Sequence, residues 1–116
     1  MASRNTNVLD QAVDKVRRFC DRRIPPDARD GKCLEVMAGA SSITLVERRP
    51  LWQGGPGAWT RMPIARLCYD PAARTWSLYW ADRNRRWHHY DDLDSTPQLE
   101  DLLREIDEDP ITLFWG

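Results

Sequence analysis

The sequence predicts an α+β domain in which an N-terminal helix and a C-terminal helix accompany a five-stranded antiparallel meander, the C-terminal helix packing on one sheet face. Three observations carry that expectation. Apolar residues near both ends of the chain recur at spacings of three and four, the period of a helix face. Between them lie five short strand-like segments, one of which alternates at period two. The connections among these segments are brief and rich in turn-forming residues, which places neighbours side by side in chain order.

The first helix is expected over about residues 7–23, because Leu9, Ala12, Val13, Val16, Phe19 and Cys20 form one stripe. Asn7 is its expected N-cap, Asp10 suits the positive end of the helix dipole, and Pro25 and Pro26 end it. The sheet is expected over about residues 32–90. Lys32–Met37 and Ser42–Arg48 flank the small residues Ala38, Gly39, Ala40 and Ser41 and read as a hairpin. Pro50–Gly57 is a Pro/Gly-rich loop that contains Trp52 and leads to Trp59.

A third strand is expected from Trp59 to Tyr69, with Pro63 marking an edge or a bulge because it has no N–H to donate. Asp70-Pro71-Ala72-Ala73 has the chemistry of a type I turn. Along Thr75–Ala81, Trp76, Leu78 and Trp80 alternate with Thr75, Ser77 and Tyr79. A second turn at Asp82-Arg83-Asn84-Arg85 leads to a fifth strand, Arg86–Tyr90. Two registers fit that turn: a two-residue loop pairs Trp80 with Trp87, and a three-residue loop shifts the parity and exchanges the faces of His88 and His89. Leu99, Leu102, Leu103 and Ile106 predict the closing helix over about 96–108, with Ser95 and Gln98 as a capping box. Pro110 ends it, and the apolar tail 111–116 is expected to dock, since exposed it would be an apolar patch.

The 116 residues are expected to form a single domain, 1–116, around one core. An apolar fraction of 41% with six Trp is too rich for a disordered chain, and no apolar run is long enough for a membrane span. The N-terminal segment lacks the pattern of a secretory signal, so the expected compartment is the cytoplasm. Cys20, Cys33 and Cys68 fit neither a disulfide framework nor a metal-binding pair and are expected to be reduced and mostly buried. The net charge of −1 is uneven: residues 1–90 hold 16 Lys and Arg against 9 Asp and Glu, whereas residues 91–116 hold Arg104 against 9 acidic residues. The acidic helix therefore either folds back over a basic sheet or stands apart as an acidic face.

Five ordered motifs add a resemblance. Glu47-Arg48-Arg49-Pro50, Trp59-Thr60 entering the Pro63 strand, Trp76-Ser77-Leu78-Tyr79-Trp80, Trp87-His88-His89-Tyr90 and Phe114-Trp115-Gly116 resemble a family of short bacterial proteins known as a domain of unknown function, numbered three thousand and twenty-four. The resemblance covers the chain from about Lys32 onward. It implies a small recurring bacterial domain, and no activity, cofactor or catalytic residue comes with it.

His88 and His89 attract notice as metal ligands or bases, but adjacent strand residues point to opposite faces and cannot chelate one ion together. Each reads first as a packed or surface ring, with ligation alongside Cys68 as the sharper alternative. Asp27 and Asp30 ahead of Glu47-Arg48-Arg49 faintly resemble a magnesium-dependent nuclease, yet Arg49 stands where a lysine is usual and its fixed charge cannot accept a proton. No Gly-x-Ser-x-Gly elbow or phosphate loop is present. No catalytic residue, metal or cofactor is assigned.

The expected function is a small cytosolic binding or protein-interaction domain without catalytic activity. Its surface comprises Arg48, Arg49, Trp52 and Trp59 around the Pro/Gly loop, and Arg83, Arg85, Arg86, Trp87, His88 and His89 on the second turn. The partner is an unidentified protein or a second copy, not a membrane. The alternative is single-stranded RNA or DNA binding through the basic aromatic hairpin 83–89, where bases stack on rings and phosphates meet guanidinium groups. A metal-dependent hydrolase or nuclease is the further alternative.

Overall fold

The computed structural model describes residues 4–23, 33–50, 59–110 and 113–114. Helix α1 spans Arg4–Arg23. It begins ahead of the expected Asn7 cap because the polar stretch Arg4-Asn5-Thr6-Asn7 holds neither Pro nor Gly to stop a helix, so Asn7 lies within it. Strands β1 (Cys33–Ala38), β2 (Ser42–Pro50), β3 (Trp59–Asp70), β4 (Thr75–Ala81) and β5 (Trp87–His89) follow, and helix α2 spans Leu99–Glu108. The strands form one sheet in the order β1-β2-β3-β4-β5, every pair antiparallel.

Period-two alternation assigns the faces. Ile43 and Leu45 of β2, Ala65, Leu67 and Tyr69 of β3, and Trp76 and Leu78 of β4 are buried in one cluster with Ala12, Val16, Phe19 and Cys20 of α1 and all four apolar positions of α2. Both helices therefore lie on this inner face. They are tied to each other by Lys15 and Glu100 at 2.7 Å and by Arg23 and Asp107 at 2.8 Å. The outer face carries the alternate residues, and neither helix covers it.

Pro63 sits on a central strand, where a missing N–H is tolerated at a bulge. Leu45 faces Ala65 while Val46 faces Pro63, which leaves Ile64 as an extra residue and buries Ile64 and Ala65 together. The β3–β4 turn follows its sequence: Asp70 Oδ1 accepts the amides of Ala72 at 3.0 Å and Ala73 at 3.3 Å, and Arg74 closes the turn with a left-handed φ of 57°. At Gly39, next to the β1–β2 turn, a Cβ would come within 2.8 Å of Ser42 Oγ.

The capping box does not form. Thr96 is held to Trp76 by a pair of backbone hydrogen bonds of 2.7 and 3.0 Å, which keeps this segment extended and delays the helix to Leu99. Ser95 is drawn to Ser77 instead, and Thr96 Oγ1 accepts the Gln98 amide and donates to Asp101. At the other end Asp109 adopts the left-handed conformation, and its Oδ1 accepts the amides of Leu113 at 2.7 Å and Phe114 at 3.1 Å. The tail thereby turns inward, and Phe114 is buried against Tyr90. Trp115 and Gly116 lie outside the described residues. All three cysteines are free, but only Cys20 is buried. Cys33 and Cys68 point to the face that neither helix covers and are half-buried, which corrects the expectation of mostly buried thiols.

Candidate functional site

The β4–β5 connection takes the three-residue form. Asp82 N–H donates to the Arg86 carbonyl at 2.9 Å and Arg85 N–H to the Asp82 carbonyl at 2.8 Å, with Arg85 left-handed at φ 64°. Asp82 also fixes the turn through its side chain. Oδ1 accepts the amides of Asn84 at 2.8 Å and Arg86 at 2.9 Å, and Oδ2 lies 2.8 Å from His88 Nε2. The His88 ring, followed by the Arg86 amide, holds the Asp82 carboxyl below the usual carboxylate range. The result is a rigid turn on which Arg83, Arg85 and Arg86 are all exposed, none of them in an ion pair among the described residues.

This register settles the two histidines. His88 faces Trp80 and stacks on it at 4.6 Å on the inner side of the sheet, while His89 faces Tyr79 on the outer side, edge-on at 5.3 Å and bonded to Asp91. Both rings remain exposed, and Cys68 shares a face with His89 rather than with His88.

The outer face continues the hairpin's chemistry. Thr44, Arg66, Tyr79 and His89 stand opposite one another across β2, β3, β4 and β5. The Arg66 guanidinium lies 4.4 Å over the Trp87 ring, and its Nε donates to Thr44 Oγ1 at 3.1 Å. Arg66, Tyr79 and Trp87 are each half-buried although neither helix lies over them, with Arg66 and Trp87 packed on each other and Tyr79 against His89. Farther along this face Glu35 binds both Arg48, at 2.9 Å, and Arg61. The Arg61 guanidinium, with a smaller effect of Arg48, holds the Glu35 carboxyl low. Arg48 is thus already engaged with a carboxylate, unlike the turn arginines.

Arg49 and Trp59 lie in strands, but their side chains, and the whole of Trp52, fall outside the described residues, as do Asp27 and Asp30. Glu47 is buried on the inner face, opposite in parity to Arg48. It lines a cleft of about 440 Å³ shared with Met62, Phe114, Arg83 and Arg85. Among the described residues no three His, Cys, Asp or Glu side chains converge to hold a metal ion, and no helix is long and apolar enough to cross a membrane.

The sequence singled out the hairpin arginines, Trp87 and both histidines; Arg66, Tyr79 and Asp82, which the structure places beside them, were not among its candidates. The signal for Tyr79 was present in the alternation of Thr75–Ala81, where the non-core partners of Trp76 and Leu78 define a second face. A family model described as a domain of unknown function, DUF3024, matches residues 5–116. No curated protein and no solved structure matches the chain.

Proposed function

The chain belongs to the DUF3024 family, a domain of unknown function, and we propose that it is a non-catalytic binding domain whose β4–β5 turn engages a polyanionic partner. One observation carries this reading: the Asp82 carboxylate gathers the backbone amides of the turn, and the three arginines this turn carries are exposed and in no ion pair among the described residues. Guanidinium groups recognise phosphate, sulfate and carboxylate oxygens through paired hydrogen bonds, and a turn that is already rigid loses little freedom on binding. Two carboxylates of the acidic helix, Glu100 and Asp107, are engaged by Lys15 and Arg23 of α1 and not by the turn.

Retention on immobilised heparin, a generic polyanion, tests the reading. The wild-type chain should bind at low salt and elute as salt rises, and a variant carrying Arg83→Glu, Arg85→Glu and Arg86→Glu should pass through. A wild-type chain that is not retained, or a folded triple variant that elutes with it, refutes the proposal.

A further inference from the structure

We infer that the polyanion is a single-stranded nucleic acid and that its bases stack on the outer face of the sheet, on a platform made by Arg66, Tyr79, Trp87 and His89. The inference rests on the polyanion reading and names the ligand class. The outer face of a half-covered antiparallel sheet is ordinarily a solvated surface of polar side chains. Here it carries a contiguous set of planar groups: the Arg66 guanidinium over Trp87, with Tyr79 beside Arg66 in the cross-strand row and His89 edge-on to Tyr79. No carboxylate among the described residues pairs with Arg66, whose bond goes to the Thr44 hydroxyl.

Position and chemistry then agree. Arg86, which is in no ion pair among the described residues, immediately precedes Trp87, and Arg83 and Arg85 border the inner-face cleft beside Glu47, so a ligand that reaches both the turn and the platform passes round the end of the sheet. A ligand that satisfies both must offer repeated anions and flat π-faces in one flexible polymer, which describes a single-stranded nucleic acid. An acidic peptide supplies the anions without the planes, and a duplex hides its base faces in its own stack. Open antiparallel sheets are a general solution to this task, each stacking two or three bases on aromatic side chains.

The test is fluorescence anisotropy of the full chain with labelled oligothymidylate and oligouridylate of about 15 nucleotides, a length on the scale of known single-strand sites. A duplex of equal length and polyglutamate serve as competitors, and the two labelled strands separate DNA from RNA. The single strands should bind, neither competitor should displace them efficiently, and Tyr79→Leu and Trp87→Leu should each weaken binding by roughly 5- to 150-fold, the range for losing one base stack. Heparin retention should stay at the wild-type value, and each variant should keep the folded circular dichroism spectrum of the wild-type chain. If a leucine variant fails to fold, His89→Ala, at an exposed ring, and the competition on the wild-type chain decide. A duplex that competes as well as the single strand, displacement by polyglutamate, or folded variants that bind like wild type overturn the inference. Heparin retention without oligonucleotide binding overturns it alone, whereas loss of both removes the polyanion reading as well.

Discussion

Replacing Arg83, Arg85 and Arg86 together with Gln should change how binding depends on salt, and by an amount the structure sets. The three guanidinium groups are exposed and have no ion-pair partner among the described residues, so each is available to one phosphate. The turn itself should survive, because Asp82 accepts the backbone amides of Asn84 and Arg86 rather than any arginine side chain. For a single strand each phosphate neutralised contributes roughly 0.7 to the slope of log K against log salt, so three contacts contribute about 2. Over a fourfold rise, from about 50 to about 200 mM salt, the wild-type chain should then lose about 20-fold more affinity than the variant. Anisotropy titrations at four salt concentrations measure this, with circular dichroism as the check on folding. A folded variant that binds more weakly at every salt concentration with an unchanged slope refutes the assignment of these arginines to phosphate.

Three further outcomes test the scaffold. Tyr90, 1% exposed, donates its hydroxyl to Glu105 at 2.8 Å; Tyr90→Phe should cost about 1.5–3 kcal/mol in a urea melt, the range for a hydrogen bond to a charged group. Burial first, then Glu105, pushes the Tyr90 pKa above its ordinary value of 10.0. Above that pH the unfolded chain releases a proton that the folded chain keeps, so wild-type stability should fall as pH rises past 10.0, and more steeply than that of Tyr90→Phe. Asp109→Ala should lose about 1–2 kcal/mol by freeing the amides of Leu113 and Phe114, and Asp109→Asn, which keeps an acceptor and tolerates the left-handed conformation, should restore most of it in the same melt. At Arg74, with φ 57°, Gly should be neutral to slightly stabilising, whereas Val should cost roughly 1–2 kcal/mol by thermal denaturation.

The element order and the inner face were legible because the core is built from local periodicity: the Leu99, Leu102, Leu103 and Ile106 stripe and the Trp76 and Leu78 alternation each bury as their spacing demands. The boundaries that moved are those settled by distant contacts. No local rule ties Thr96 to Trp76, and that bridge sets where α2 begins and redirects Ser95. The histidine faces were undecidable for the same reason, since the choice between two turn lengths rests on Asp82, whose carboxylate gathers two amides and His88. The outer-face platform was missed because Arg66 meets Trp87 across two strand boundaries, a proximity that appears only once register is fixed.

The uneven charge takes on a physical meaning in the fold. Helix α1 holds six Lys and Arg against three Asp, and α2 holds one Arg against five acidic residues, so the helical layer carries seven cations against eight anions and neutralises itself. The ion pairs between the helices are the visible part of that cancellation. Residues 33–89, which span the sheet, hold eight Arg against four acidic residues, and of those four Glu35 and Asp82 are engaged in holding structure. A C-terminal helix folded over a basic sheet would have cancelled the same charges while covering the rings. Placing the cancellation between two helices on the inner face leaves Arg66 and the planar side chains on the face that neither helix covers, while Arg83 and Arg85 border the inner-face cleft beside Glu47 at the end of the sheet.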